Sequence, residues 1–398
     1  MVLHKFANIF LILFVMLMGL SPSYEIMNSH MTLMLNGTVG DDVMNPSSKV
    51  GNLQDAAYTY TGVDCVVYDY GVTIEGHVTI VVIDEGLHWK EWKALEQNPE
   101  ANVDIVGFLT ENSSDEIDWI TDPDDLKSYT LQTCYGHGFA VISALAAIAR
   151  DVEVIFVDLQ YAESQFKADT YGFELSDESL WDWLDDNQST FNMDIISSSI
   201  AANTAYANNS ILDNWENLAD NGVIMICAAG NEDSYMNYVT SKSEYYCYPQ
   251  NYTEWNVVGS IDHETRTGES TKDQRSSFSS WFESYTAGNH IVNWLSPGNG
   301  IPVLEDPYND TTLAVYRGTW RYAAGTSFST PYLAGIIALI ITGYHNGIGD
   351  YTDPTVQKVI DILQYASSRS TFNQKMGYGY VDAYLAYGKA YTEGRLAF

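Results

Sequence analysis

Several short runs of this chain are apolar on both faces of a would-be strand, and helical patterns separate them. HVTIVVID (77–84), VEVIFVDLQ (152–160), MDIISSSI (193–200) and VIMICAAGN (223–231) lack the every-second-residue polar pattern of a half-exposed strand. Such strands must be covered above and below, which is the requirement of a parallel sheet between helical layers. Between them, GFAVISALAAIAR (138–150) has helical spacing and strong helix formers, and ILDNWENLADNG (211–222) reads as an amphipathic helix stopped at Asn221-Gly222. The expectation is an α/β fold of three layers, a central, mostly parallel β-sheet with helices on both faces. Sites in such sheets gather beyond the carboxyl ends of the strands. There the chain places Asp84, Asn231 and the run Ser197 to Ser199.

The 398 residues suffice for one large α/β domain, and no internal repeat or long low-complexity linker divides them. Hydrophobic residues make up 46% of the chain, which excludes a mainly disordered protein. The formal charge of −34, from 52 acidic against 18 basic residues, excludes nucleic acid as a partner and disfavours anionic membranes. The surface must therefore lean on uncharged polar groups, since only 18% of residues are charged. That balance fits work in acid, an expectation the pH dependence of the chemistry has to meet.

At the N-terminus, Lys5 precedes an apolar run from about Phe6 to Leu20, and small residues follow at Ser21 and Ser23. This is the pattern of a secretory signal, assigned to residues 1–23; the run is short for a membrane anchor, the competing reading. Residues 24–52 read as an N-terminal arm or short propeptide, and 53–398 as the folded domain. A secreted, extracellular protein with no stable membrane span after signal removal follows. In that setting the sequons at Asn36, Asn112, Asn187, Asn208, Asn251 and Asn309 become glycosylation acceptors. Cys65, Cys134, Cys227 and Cys247 allow three complete pairings, with Cys227 in an apolar strand also readable as a buried thiol.

Four segments carry chemistry. VVIDEG ends an apolar strand at Asp84, YGHGFAV sets His137 between glycines ahead of a helix, CAAGNED sets Asn231 at another strand end, and AAGTSFSTPYLAG (323–335) delivers Ser327 to the mouth of an apolar helix. Taken alone, each has a plainer role: strand-end turn, core histidine, turn asparagine, helix cap. Together they supply a set. A serine hydroxyl needs an imidazole to take its proton, and a carboxylate holds that imidazole in the useful tautomer. An asparagine amide can donate to the oxyanion of a tetrahedral intermediate.

In these segments the chain resembles the subtilisin-like serine peptidases, in the order Asp, His, Ser and over most of residues 55 to 390. GTSFSTPYLAG resembles that family's nucleophile motif, AAGN its oxyanion segment, MDIISSSI the strand bordering its substrate cleft, and MGYGYVDAYLAY (376–387) its closing segment. The resemblance implies Ser327 as nucleophile, His137 as general base and acid, Asp84 as the residue orienting His137, and Asn231 as oxyanion donor. It implies a substrate cleft along Ser199, Ile200, Ala201, Ala228, Ala229 and Gly230. The activity implied is hydrolysis of peptide bonds in protein or peptide substrates through an acyl-enzyme.

The chain departs from the family at several positions. Glu85 follows Asp84 where Thr or Ser is usual, adding a carboxylate that raises the His137 pKa unless it turns to solvent. Phe139 and Ala140 replace Thr-His, and Ala201 stands where a glycine is expected. Residues 24–52 are too few for the folded prodomain usual in the family. No cofactor is needed for the chemistry and no metal ligands are assigned. Acidic loops such as TDPDDL (121–126) could offer oxygen to a structural calcium, yet none has the spacing of a calcium loop. Oligomeric state stays open. The alternative function is a catalytically inactive member of the fold acting as a binding or surface protein. An acid peptidase using Glu in place of His, and an α/β-hydrolase, which wants GxSxG, fit the motifs less well.

Overall fold

The central sheet of the computed structural model has the strand order β10-β8-β6-β5-β1-β4-β2-β3. Its strands are β1 (Thr79–Asp84), β2 (Asp104–Glu111), β3 (Ile117–Ile120), β4 (Glu153–Asp158), β5 (Met193–Ser198), β6 (Ile224–Ala228), β8 (Trp255–Ile261) and β10 (Val292–Pro297). Every neighbouring pair is parallel except the edge pair β2 and β3. The two-residue strands β7 (Tyr235–Met236) and β9 (Trp281–Phe282) pair apart from it. So do β11 (Asn299–Glu305) and β12 (Thr319–Ala324), as an antiparallel ribbon. The structure describes residues 56–69, 71–74, 77–98, 102–112, 114, 116–128, 136–159, 172–200, 207–233, 235–236, 249–250, 252–265, 271–282, 292–305 and 319–397. The assignments to residues 1–23 and 24–52, the sequons at Asn36, Asn251 and Asn309, and Cys134, Cys247 and Ala201 lie outside the described residues.

Burial explains the sheet. All residues of β1, β5 and β6 are buried, as strands apolar on both faces require. One face of the sheet, with Ile80, Val82, Val154, Phe156 and Ile195, packs against α3 (His137–Ala146) and α6 (Thr326–Ile348). The other, with Val81, Ile83, Ile155, Val157 and Ile196, takes the tryptophan-rich faces of α4 (Glu178–Phe191) and α5 (Asn209–Asp220). There Trp181, Trp215 and Trp255 meet edge to face. The remaining α-helices among the described residues are α1 (Ala56–Thr61), α2 (Trp89–Gln97), α7 (Val356–Tyr365) and α8 (Ala383–Arg395). α6 is long and apolar enough to cross a membrane, but its residues from Thr326 to His345 are buried inside the protein.

The strand order places the site. From β1 the chain moves outward to β2 and the edge strand β3, comes back to lay β4 between β1 and β2, and then builds β5, β6, β8 and β10 on the other side of β1. β1 is thus the point where the winding reverses, and a crevice opens beyond its carboxyl end. Asp84 is the last residue of β1.

At the opposite end of the sheet, Asp194, the second residue of β5, is a buried carboxylate that accepts the Thr79 N–H at 2.8 Å. Burial, reinforced by Asp353 and then Glu153 and opposed by the Thr79 hydrogen bond, pushes its pKa up to about 8. The folded chain therefore holds this proton where the unfolded chain has lost it. Stability contributed here falls as pH rises from about 4 to about 8, by at most about 1.4 kcal/mol per unit. Asp194→Asn, which keeps an acceptor for Thr79, is expected to raise the melting temperature at pH 8 and leave it nearly unchanged at pH 4. Calorimetry at both pH values checks this.

Candidate active site

Three strand ends and two helix starts meet at the crevice. Asp84 is fully buried. Its Oδ1 accepts from His137 Nδ1 at 2.5 Å and from the Glu85 N–H at 2.7 Å, while Oδ2 has no hydrogen-bond partner among the described residues. His137 is the first residue of α3, presented by Gly136 at φ 66°, a left-handed conformation that favours glycine. The next residue must also be small. A Cβ on Gly138 would lie 2.7 Å from the Phe156 ring and 2.8 Å from the Gly86 carbonyl. The Gly138 N–H donates to the Glu85 carbonyl, so the first turn of α3 rests on the turn that follows Asp84. Phe139 and Ala140, the departures noted above, point into the core.

The imidazole is a third exposed, and one of its nitrogens is committed to Asp84. Its pKa is raised, first by the Asp84 charge and also by the hydrogen bond to it and by Glu85; burial and Arg321 act the other way. Glu85 therefore does act on the ring. A ring placed this way holds its proton more readily than a free histidine does.

Ser327 is the second residue of α6 and is 9% exposed. Its hydroxyl donates to the Ser199 carbonyl at 3.3 Å, and the Ser199 hydroxyl donates to the Ser327 carbonyl at 2.8 Å. No hydrogen bond joins His137 to Ser327 in this arrangement. The ring of Phe328, the following residue, lies 5.9 Å from that of His137 between centroids, which brings the starts of α3 and α6 together. Asn231 follows Gly230, itself at φ 96°. Its Oδ1 accepts from the Thr326 N–H at 2.8 Å and the Thr326 hydroxyl at 3.1 Å. With that oxygen committed, Nδ2 is the donor left over, and it lies 3.6 Å from where a Cβ on Gly325 would stand.

Of the residues expected to line a cleft, Ser199 and Ile200 follow β5, Ala228 ends β6, and Ala229 and Gly230 follow it; the two strands pair up to Ser198 and Cys227, so these segments adjoin. Sequence reading passed over three carboxylates here. Glu232 folds over Gly230, its Oε2 accepting from the Ser280 hydroxyl at 3.0 Å. Glu91, buried in α2, caps the His88 N–H and faces Gly136. Asp158, buried at the end of β4, accepts the Gly86 N–H at 3.1 Å. The one available signal was for Asp158, an acid closing an otherwise apolar strand.

In the TDPDDL loop the acidic side chains already have protein partners. Asp124 pairs with Lys93 and Lys127, and Asp122 accepts the Asp124 N–H. Among the described residues no group of three or more His, Cys, Asp or Glu converges on a metal position.

Comparison with known proteins agrees with this architecture. The family model described as the subtilase family matches residues 75–379. A curated relative, an extracellular basic protease of Dichelobacter nodosus, is 25% identical over 353 residues, covering 80% of this chain and 51% of its own. The chain thus spans about half the length of that relative. A solved structure titled a lanthipeptide protease has 18% identity and a TM-score of 0.58, over 83% of this chain and 94% of its own, which shows a shared fold.

The opposed charges around the ring give a test. Glu85→Gln is expected to lower the His137 titration midpoint and Arg321→Gln to raise it, followed by NMR of the imidazole across pH 5 to 9.

Proposed function

Since this chain belongs to the subtilase family, whose members are serine-type peptidases, we propose that it is an exported serine endopeptidase acting through an acyl-enzyme. The observation that carries the reading is the 2.5 Å contact of His137 Nδ1 with the buried Asp84, at the crevice that also holds Ser327 and the anchored Asn231 amide. His137 takes the proton of Ser327 Oγ as that oxygen attacks the peptide carbonyl, and Asp84 offsets the charge that develops on the ring. The Asn231 Nδ2 and the Ser327 N–H donate to the oxyanion. His137 then protonates the leaving amine, and a water activated in the same way releases the acid. Because Nδ1 donates to Asp84, Nε2 is the basic nitrogen. The Ser327 hydroxyl reaches it by leaving Ser199 through a turn about its own Cα–Cβ bond, between ordinary rotamers.

Export is supported by the signal pattern of residues 1–23, and the relative described as extracellular is consistent with it. Residues 24–52 serve as an arm or short propeptide ahead of the peptidase domain. Protein or peptide chains are the substrates, lying along Ser199 and Ile200 on one side and Ala228, Ala229 and Gly230 on the other. Asn112, Asn187 and Asn208 are glycan acceptors within the described residues.

A sulfonyl fluoride is expected to label Ser327 and abolish casein hydrolysis; a folded protein that resists labelling would instead be the inactive binding protein. Ser327→Ala is expected to cut kcat by about 10⁴-fold or more and Asn231→Ala by about 10²–10³-fold, read on a peptide library. The acid limb of kcat/KM is expected above the ordinary histidine value of about 6.5, because the neutral imidazole is the active form and its pKa is raised.

A further inference from the structure

β4 ends in an acid that the reaction above does not use. Asp158 stands opposite Asp84 in parallel register, one strand over, and is 2% exposed. Strand alternation turns both side chains to the same face of the sheet. Ile80 and Val82 of β1, and Val154 and Phe156 of β4, pack on the side of α3, while the intervening residues pack on the other. The carboxylate is held by named partners. Its Oδ1 accepts the Gly86 N–H at 3.1 Å, and Thr110 Oγ1 donates to Oδ2 at 3.4 Å.

Gly86 belongs to the turn that joins the proposed acid and base. Within that turn the Glu85 N–H donates to Asp84 Oδ1, and the Glu85 carbonyl accepts from Gly138 on α3. The Gly86 carbonyl faces Gly138 so closely that no side chain fits between them. One short turn thus orients the Asp84 carboxylate from one side and seats the His137 helix from the other. Gly86 itself is at φ 63°, which leaves the turn dependent on outside anchors.

We propose that Asp158 is a positioning residue for the Asp84–His137 pair, acting by holding the Gly86 N–H and so fixing the turn on which both depend. The inference rests on the hydrolytic reading for its kinetic consequence, but its geometric content does not. What Asp158 supplies is an acceptor at one place. An apolar residue would leave the half-buried Gly86 N–H without the acceptor that β4 now supplies. A small displacement of the turn would carry the carboxylate away from the ring, and displacements of about 1 Å can cost about 100-fold in rate.

The test compares Asp158→Ala with Asp158→Asn, whose amide oxygen can still accept from Gly86. Two readings are taken: the NMR titration of the His137 imidazole, in a Ser327→Ala background that prevents self-cleavage, and kcat and KM in the active background. The charged groups facing the ring are Asp84 from β1, Glu85 from the turn and Arg321 from β12, with Glu91 of α2 beside Gly136; all stay in place in both variants. Asp158→Ala is expected to move the His137 midpoint down toward the ordinary histidine range and to cut kcat about 10- to 100-fold, with KM changed little. Asp158→Asn is expected to stay near wild type in both. Should alanine leave too large a gap to fold, Asp158→Leu, with the same branching but no acceptor, carries the same expectation. A folded alanine or leucine variant with wild-type titration and kcat overturns the proposal. So does an asparagine variant that falls as far as alanine, since the charge and not the hydrogen bond would then be at work. A wild-type protein that cleaves no peptide removes the hydrolytic reading, and the titration alone then decides the role of Asp158.

Discussion

The arrangement depends on a carboxylate buried where a strand with no exposed face runs out. β1 is covered on both sides along its whole length, and Asp84 has no exposed surface. Burying an ionised carboxylate is costly unless partners replace its water. Here the Glu85 N–H and the His137 ring both donate to Oδ1, and neither is free to leave without exposing the cost. The turn after β1 and the start of α3 are therefore fixed by the need to satisfy this one group. Because β1 is also where the winding of the sheet reverses, the satisfied pair opens onto a crevice and not onto packed core.

Much of this was legible in the residues because it follows from local pattern. Strands apolar on both faces announce a covered parallel sheet, and those read at 77–84, 152–160, 193–200 and 223–231 contain β1, β4, β5 and β6 with only their ends trimmed. Spacing around His137 and Ser327 marked helix starts, and both residues do begin helices. The antiparallel edge strand β3 and the β11–β12 ribbon left no such trace, since short strands carry little periodicity. Contacts between segments distant in sequence left none either. That Asp158 anchors Gly86, or that Ser199 and Ser327 exchange hydrogen bonds across 128 positions, depends on strand order and register. A lone sequence encodes neither in any local repeat.

The acidity of the chain acts in opposite senses on the fold and on the proposed chemistry. Asp194 keeps its proton far above the usual carboxylate range, so its neutral form belongs to the folded state. His137 has a raised pKa, so its protonated form is favoured by folding as well, an advantage lost as pH climbs through the folded value. Both groups thus make the fold firmer toward acid. Peptide hydrolysis asks the reverse of His137, because only the neutral ring can take a proton from serine. At these two positions folding and the proposed chemistry therefore favour opposite ends of the pH range.

The resting position of Ser327 fits the same division between a fixed frame and one moving atom. Two hydrogen bonds link it to Ser199, and they differ in kind. The 2.8 Å bond from the Ser199 hydroxyl ends on the Ser327 backbone carbonyl and ties the start of α6 to the end of β5. The 3.3 Å bond from the Ser327 hydroxyl is long and weak. Rotation of the serine side chain breaks only the second and leaves the backbone anchor in place. Thr326, held by Asn231, does not move with it. The hydroxyl can therefore leave Ser199 for little energy while the donors proposed for the oxyanion stay where they are. That is what a preorganised site requires, since the large electrostatic benefit comes from groups that do not have to reorganise during the reaction.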